Sequence, residues 1–384
     1  MEKIKLVNTP NTELMVNRHL VQVFTKELVN RGMDVTIAEG VSGGSLIDAI
    51  TIPGSTRIIH IGGVFYSRNS KIHELGVRKS VIDQYGEYSP ETAREMAVAM
   101  LNKSGASLSI SSVGQIEPQN IHFPLYASIG YAMKGKIPQV KTILLPNQNR
   151  SRRLVKNEIT QCAFSHALHF LRNDVGVFNQ DESAFSYLSM SPSSQEIITV
   201  DIQAKQLISQ LKERGMRLST IESCTAGAIA SAITDISGAS QVYDMGWLAY
   251  DENVKARLGV PFPVMVNGNV YSLKVAREMA EAILKRSSSD VVIATTGTME
   301  TFDTRPFHSD TLPGTIYAAV IIRGHEPYLT KILIPCPLDK TREKVKFEAT
   351  SAVLTFANDL LLEMTSTNKV DIDSQLAGTF LQDF

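Results

Sequence analysis

The chain has 384 residues, enough for two ordinary domains, because a single hydrophobic core stops growing well below that length. Its composition is typical of a globular protein, with 43% hydrophobic and 20% charged residues. The 38 basic and 39 acidic side chains nearly cancel, which excludes nucleic acid and anionic membrane as partners held by bulk charge. We therefore expect any phosphate binding to be local.

The N-terminus carries no apolar stretch of the signal-peptide kind, and no run of apolar residues reaches membrane-spanning length. The three cysteines, Cys162, Cys224 and Cys336, are widely spaced and odd in number, so they indicate neither a disulfide framework nor a zinc site. These features predict a cytoplasmic protein that needs no metal and no other cofactor.

An internal repeat runs through the chain. Residues 31–33 (Arg-Gly-Met) recur at 214–216, and residues 93–97 (Ala-Arg-Glu-Met-Ala) recur at 276–280, both at an offset of 183. Matches that keep one order and one register predict two homologous domains. The predicted divisions are a first copy over 1–172, a linker over 173–200, a second copy over 201–366 and a polar tail over 367–384.

Helical and strand patterns alternate along each copy. In the first copy, Ser89 followed by Pro90 is typical of a helix start. In the second copy, a helical stripe over 205–214 ends at Gly215, Thr225 opens a helix of small residues, and Ser272 precedes a helix over 275–285. Apolar runs predict buried strands at 218–221, 291–294 and 315–322. The pattern predicts two three-layer α/β/α domains, each with a mixed, mostly parallel sheet.

Three segments of the second copy carry a resemblance: 221–227 (Ile-Glu-Ser-Cys-Thr-Ala-Gly), 234–240 (Thr-Asp-Ile-Ser-Gly-Ala-Ser) and 246–255 (Gly-Trp-Leu-Ala-Tyr-Asp-Glu-Asn-Val-Lys). They resemble the CinA C-terminal domain family, which includes nicotinamide mononucleotide amidohydrolases. The resemblance covers nearly all of 201–366 and, more weakly, 10–172. It implies a hydrolase acting on a linear amide C–N bond, which converts nicotinamide mononucleotide to nicotinate mononucleotide and ammonia.

The resemblance places the family's catalytic serine, tyrosine and lysine on Ser240, Tyr250 and Lys255. A serine hydroxyl needs an adjacent base to attack an amide, and a phenol becomes that base only when a nearby cation favours its phenolate. Ser240 is then the nucleophile, Tyr250 the base and Lys255 the cation. The free amides of the helix opened by residues 223–225 suit a phosphate or an oxyanion. The implied substrate-binding residues are Glu222, Ser223, Thr225, Gly227, Gly238, Thr296, Gly297, Thr315 and Arg342.

The first copy keeps a hydroxyl, a phenol and an amine at the equivalent positions Thr56, Tyr66 and Lys71, and Arg152 is the counterpart of Arg342. However, residues 39–44 (Glu-Gly-Val-Ser-Gly-Gly) replace the family's ESCTGG segment, and a glycine-rich loop of the family is absent from both copies. We therefore predict that the first site is degenerate or altered. Fusion should let the copies pack as an intrachain pseudo-dimer, and further self-association is left open.

Several other interpretations remain. Cys224 next to a helix start suggests a reactive thiol, although Val41 in the first copy favours a small core residue. His308 lies between Asp303 and Asp310, which hints at a metal, but such a loop is more often solvated. A Ser-Tyr-Lys dehydrogenase requires Tyr-x-x-x-Lys and a glycine-rich dinucleotide turn, and the chain has neither. The remaining alternative is a non-catalytic nucleotide-binding or scaffolding protein built from decayed duplicated domains.

Overall fold

The computed structural model describes residues 18–52, 55–117, 125–145, 150–172, 194–265, 270–299, 311–336 and 340–379. Its helices, α1 to α10, span Arg18–Asn30, Ser45–Ile50, Lys79–Tyr85, Pro90–Ser104, Arg152–Arg172, Ser194–Glu213, Ala228–Thr234, Glu252–Arg257, Leu273–Arg286 and Arg342–Thr379. Its strands, β1 to β10, span Val35–Glu39, Ile59–Phe65, Leu108–Gln115, Leu125–Met133, Gln139–Leu145, Leu218–Glu222, Tyr243–Ala249, Val291–Gly297, Thr315–Ile322 and Tyr328–Leu333.

Local sequence signals account for many of these boundaries. The Ser89 side chain accepts a hydrogen bond from the Thr92 amide at the start of α4, and the Ser272 side chain accepts one from the Val275 amide at the start of α9. Both serines satisfy a helix-end N–H that has no partner inside its helix. β8 and β9 are apolar and almost wholly buried, as their β-branched composition predicts.

The ten strands form one continuous sheet in the order β10-β9-β8-β6-β7-β2-β1-β3-β4-β5. Within the first copy β1 pairs in parallel with β2 and β3, whereas β3–β4 and β4–β5 are antiparallel. The second copy repeats this pattern. The predicted α/β fold of two homologous copies with a mixed sheet is confirmed. Each copy has two parallel and two antiparallel strand pairings rather than a mostly parallel sheet, and the strands of both copies form one sheet.

The copies are joined by their equivalent strands, β2 and β7, which pair antiparallel with Phe65 opposite Met245 and Ile61 opposite Ala249. An isolated copy would leave this edge of its sheet unpaired, and an unpaired edge exposes a row of backbone donors and acceptors. Because the two strands run in opposite directions, the start of each lies beside the end of the other. This geometry decides which residues share a site.

Two hydrophobic cores lie on the two sides of the sheet, as shown by neighbouring residues of β1: Ile37 belongs to one core and Ala38 to the other. The first core takes residues from α1, α5, α6, α7 and α10. The second takes residues from α4 and α9. Each core contains residues of both copies, so hydrophobic burial stabilises the pair as one unit.

Reciprocal lysines reinforce the junction between the copies. Lys156 in α5 donates to Thr234 Oγ1 and to the Ser231 carbonyl at the end of α7, whereas Lys346 in α10 donates to Thr51 Oγ1 and to the Asp48 carbonyl at the end of α2. Each lysine thus supplies positive charge to the last turn of a helix in the other copy, where it is favourable.

Two helices reach into segments for which irregular structure was expected. α6 begins at Ser194, inside the predicted linker 173–200, and α10 continues to Thr379, through most of the predicted loose tail 367–384. Residues 173–193 lie outside the described residues. Within the described part of the chain, no helix is both long enough and apolar enough to cross a membrane.

Candidate functional site

Ser240 and Tyr250 lie at opposite ends of one strand. Ser240 is in the short helical turn Ala239–Gln241 just before β7, and Tyr250 follows the last residue of β7. A strand of this length separates its ends by roughly 20 Å at about 3.3 Å per residue. The expected grouping of Ser240 with Tyr250 and Lys255 in one site is therefore wrong.

The antiparallel junction places Ser240 in the first copy's pocket instead. Ser240 lines a cavity of about 120 Å³ together with Tyr66, Lys71 and Arg152. The Tyr66 amide donates to the Asp244 carbonyl at the start of β7, which fixes the end of β2 beside this turn. Gly238 faces the same pocket, because its amide donates to Glu117 Oε1 at 3.4 Å. By the same geometry the backbone of Thr56, which precedes β2, belongs at the Tyr250 end of β7.

A different serine contacts Lys255. Ser223 follows β6, where its amide donates to the Thr295 carbonyl of β8, and Lys255 lies in α8. Lys255 Nζ lies 3.2 Å from Ser223 Oγ, and both side chains are almost completely buried. The same Nζ donates to the carbonyls of Ala249 and Tyr250. The family resemblance implies a substrate-binding role for Ser223, whereas in the structure its hydroxyl is paired with the buried amine of Lys255.

The cation at the Tyr250 phenol is Arg342. Arg342 Nη2 donates to the Tyr250 phenol oxygen, whereas Lys255 contacts only the backbone carbonyl of that tyrosine among the described contacts. The positive charges of both Arg342 and Lys255 act on the neighbouring Cys224 thiol, so the two cations face one region. The expectation that Lys255 polarises the phenol is therefore not supported by the contacts.

Glu222 has a structural role rather than the substrate-binding role expected for it. Its buried carboxylate accepts hydrogen bonds from the amides of Gly227, Ile229 and Ala230 at the start of α7. Burial raises the pKa of Glu222, and the backbone hydrogen bonds oppose that rise. The carboxylate fills the anion-binding position at this helix end, so the expected phosphate or oxyanion site on these amides is already occupied.

Three other expected substrate contacts are also used within the fold. Thr225 Oγ1 and Thr295 Oγ1 lie 2.6 Å apart, and Thr296 Oγ1 donates to the Val270 carbonyl at 2.8 Å. Gly227 has a φ of +85°, and a Cβ there would lie 3.1 Å from the Gly44 carbonyl oxygen of the other copy, so it serves close packing at the junction.

Of the two expected residues left, Thr315 offers a group to a ligand, whereas Gly297 packs against the Thr315 carbonyl oxygen, which leaves no room for a Cβ there. Gly297 ends β8 beside the start of β9, where Thr315 lies. The Thr315 hydroxyl is buried and has no hydrogen-bond partner among the described residues. A buried hydroxyl without a partner costs free energy, so it is a natural donor to a bound molecule.

The first copy reproduces this arrangement without its hydroxyl. Lys71 Nζ donates to the carbonyls of Tyr66 and Ser67, and Arg152 Nη2 donates to the Tyr66 phenol oxygen at 2.9 Å. Burial lowers the pKa of Lys71 to about 8. Gly40 occupies the position of Ser223, and a Cβ there would lie 2.7 Å from the Ser112 carbonyl oxygen. The first copy therefore differs from the second in having no serine at this position.

The minor alternatives find no support in the described residues. Cys224 is buried, and burial raises the pKa of its thiol to about 12, which makes it unreactive. Groups of three or more metal-ligating side chains do not occur in the part of the chain that the structure describes. The loop that holds His308, Asp303 and Asp310 lies outside that part.

Comparison with known proteins gives a consistent family match. The profile of the CinA C-terminal domain matches residues 17–174 and 201–361. A CinA-like protein of Akkermansia muciniphila is 34% identical over 151 residues, which are 39% of this chain and 36% of that protein. A putative competence-damage inducible protein of Caldicellulosiruptor saccharolyticus is 39% identical over 92 residues, 24% of this chain and 22% of that protein. The matches thus span about a third or less of these relatives' length.

Solved structures of similar proteins each cover less than half of the chain. The competence or damage-inducible protein from Enterobacter asburiae is 28% identical and covers 42% of this chain and 98% of its own, with a TM-score of 0.38. A CinA superfamily protein from Enterobacter cloacae is 27% identical and covers 47% of this chain and 99% of its own, with a TM-score of 0.39.

Proposed function

This chain belongs to the CinA C-terminal domain family, and on that premise we propose that it is an amidohydrolase whose chemistry takes place in the second copy, at Ser223 and Lys255. The single observation that carries the proposal is the 3.2 Å contact between Lys255 Nζ and Ser223 Oγ, both buried. A hydroxyl beside a buried amine is the arrangement that nucleophilic attack on an amide requires.

The state of the lysine determines how the pair works. When Lys255 is protonated, its ammonium donates to Ser223 Oγ and to two backbone carbonyls. Loss of one proton leaves two N–H groups for the carbonyls and a lone pair directed at the serine. The equivalent Lys71 shows the effect of such an environment, since burial lowers its pKa to about 8. An amine whose ammonium form is disfavoured by burial can act as a base near neutral pH.

The proposed reaction balances as follows. Ser223 Oγ bonds to the amide carbon while its proton moves to neutral Lys255. The tetrahedral intermediate collapses, the C–N bond breaks, and Lys255 returns the proton to the leaving nitrogen, which departs as ammonia. Water then attacks the acyl-serine, with Lys255 taking one proton from the water and delivering it to Ser223 Oγ as the acid leaves. Nicotinamide mononucleotide is the proposed substrate and nicotinate mononucleotide the proposed product.

Charged and polar groups near the pair would orient the substrate. Arg342, held at the Tyr250 phenol, offers a guanidinium for a phosphate, since arginine recognises phosphate with two parallel hydrogen bonds. The buried hydroxyl of Thr315 offers a further hydrogen bond. The backbone of Thr56 brings the first copy to the same end of β7, so we propose that both copies are needed for a complete site.

Ammonia release from nicotinamide mononucleotide tests the proposal. The wild-type chain should release ammonia and form nicotinate mononucleotide in equal amounts, and Ser223→Ala should not. Nicotinamide as a substrate without the ribose phosphate separates general amidase activity from nucleotide recognition. Absence of ammonia from nicotinamide mononucleotide with a correctly folded wild-type chain would refute the proposed substrate.

A further inference from the structure

The first copy contains a cavity that the proposed reaction does not use. Its volume is about 120 Å³, and its lining includes Tyr66, Lys71, Tyr88, Glu117 and Arg152. A cavity of about 150 Å³ in another protein holds one benzene molecule. The space therefore accommodates one small planar ring or acid group.

Two positively charged side chains line this cavity, and their burial lowers the stability of the folded protein. Lys71 is almost fully buried, and the nearest carboxylate oxygen, from Glu87, lies 3.8 Å from its Nζ. Arg152 has only 14% of its side chain exposed and is held by the Tyr66 phenol and by the Thr234 carbonyl of the other copy. Burying a charge costs several kcal/mol. Buried charges that line a cavity are a typical mark of a binding site.

An acidic side chain already occupies part of the space that an acidic ligand would take. Glu117 Oε1 lies 2.8 Å from Arg152 Nη1 and accepts the Gly238 amide, while 42% of the Glu117 side chain remains exposed to solvent. Because it is so exposed, this carboxylate can move out into water and keep its own charge hydrated, which leaves the buried Arg152 guanidinium without its ion-pair partner. A carboxylate from outside the chain could then bind Arg152 in its place.

Among the residues that the structure describes, the cavity has no hydroxyl–amine pair for hydrolysing what it binds. Gly40 stands where the second copy has Ser223, and the nearby Ser112 carbonyl leaves no room for a side chain at that position. Ser240 contributes a hydroxyl to the lining, but the described contacts of Lys71 Nζ are with backbone carbonyls and with Glu87. The site therefore has groups for binding an acid and lacks the hydroxyl–amine pair.

We propose that the first-copy cavity is a binding site for a small planar carboxylate, which it holds through Arg152 and Lys71 without chemical change. The pyridine carboxylate of the product released by the second copy fits this description. That identification of the natural occupant rests on the proposed function, whereas the carboxylate site itself does not.

Calorimetric titration of the full-length Ser223→Ala chain tests the proposal, with nicotinate, nicotinate mononucleotide and inorganic phosphate as separate probes. Nicotinate should bind, Arg152→Leu added to this background should abolish that binding, and Glu117→Ala should tighten it about fivefold, the effect of removing one exposed competing ion pair. Glu95→Ala, which removes a carboxylate from an exposed ion pair with Arg78, is the matched control and should change nothing.

Two results would overturn the proposal. One is that nicotinate does not bind, or that it binds with an affinity that neither Glu117→Ala nor Arg152→Leu changes. The other is that inorganic phosphate binds and nicotinate does not, with phosphate binding abolished by Arg152→Leu and tightened by Glu117→Ala. Because Arg152 also contacts Thr234, Glu117→Ala keeps the test decisive if Arg152→Leu unfolds. Failure of the wild type to release ammonia, together with Glu117-dependent nicotinate binding, would refute the proposed function and support the site.

Discussion

The pockets of the two copies share a tyrosine, a buried lysine and an arginine, and they differ at a position that decides their chemistry. Each has an arginine on the phenol of a tyrosine and a buried lysine on backbone carbonyls. Only in the second copy does the lysine also reach a side-chain hydroxyl, that of Ser223, because the first copy has Gly40 there. The comparison separates groups that bind from the pair that reacts.

The largest expected difference between the copies lies in their lysines. Lys255→Met removes the proposed base and should lower kcat by about 10²–10⁴-fold, the usual contribution of a positioned general base. KM should change little, because the base acts on the reacting proton. Lys71→Met, the matched change in the first copy, should leave ammonia release within about twofold of the wild type. A large rise in KM for Lys255→Met with kcat unchanged would identify Lys255 as a ligand-binding residue.

The copies should respond alike where their structures are alike. The Glu222 carboxylate accepts hydrogen bonds from three backbone amides at the start of α7, and the Glu39 carboxylate accepts three at the start of α2. Either residue changed to Ala leaves buried donors without acceptors and should lower the free energy of unfolding by about 2–4 kcal/mol. Urea unfolding measures both variants. A lower free energy of unfolding in only one of the two variants would show that the two helix starts do not contribute equally to stability.

The buried Lys71 should lower the free energy of unfolding, so its replacement should raise it. Burial lowers the pKa of Lys71 to about 8, below the ordinary lysine value of 10.5. Below pH 8 the folded protein bears the full cost of the buried ammonium, and this cost fades as the pH rises from 8 towards 10.5. Lys71→Met should therefore raise the free energy of unfolding at pH 7 by on the order of 1–3 kcal/mol. The gain should shrink at pH 10, and a gain independent of pH would contradict this cause.

The smallest expected effect concerns the arginines. Arg342→Leu should raise KM for nicotinamide mononucleotide about tenfold, because a charge-assisted hydrogen bond is worth roughly that factor. The change in kcat should be smaller. Arg152→Leu should leave both constants near the wild-type values once its folding is verified. Equal KM for nicotinamide and its mononucleotide in the wild type would remove the reason to assign Arg342 to the phosphate.

Sequence patterns predicted the repeat and many elements because these depend on local order. The expected strand at 315–322 coincides with β9, and Ser272 caps α9 as its position indicates. The site was harder to predict, because residue spacing does not show which end of a strand meets which end of its neighbour. The antiparallel β2–β7 pairing carries Ser240 to Tyr66, and no local pattern reports that pairing.

The family resemblance alone predicts substrate binding, and not chemistry, for Ser223. The signal that could have singled it out was the comparison of the copies, since residue 223 is serine where residue 40 is glycine, whereas Tyr and Lys persist in both. Glu222 shows the opposite case: it persists as Glu39, because both residues cap a helix. Loss of a residue from the first copy thus favours a role in chemistry, whereas retention alone does not decide the role, since Lys255, the proposed base, also persists as Lys71.

The central claim is that the reacting hydroxyl belongs to Ser223 and not to Ser240. Steady-state ammonia release from nicotinamide mononucleotide by Ser223→Ala and Ser240→Ala, both verified as folded by thermal melting, tests it most directly. The account predicts that Ser223→Ala loses at least about a thousandfold in kcat, as removal of a nucleophile does in other hydrolases, while Ser240→Ala stays within about threefold of the wild type. Loss of activity in Ser240→Ala with activity retained in Ser223→Ala would contradict the account.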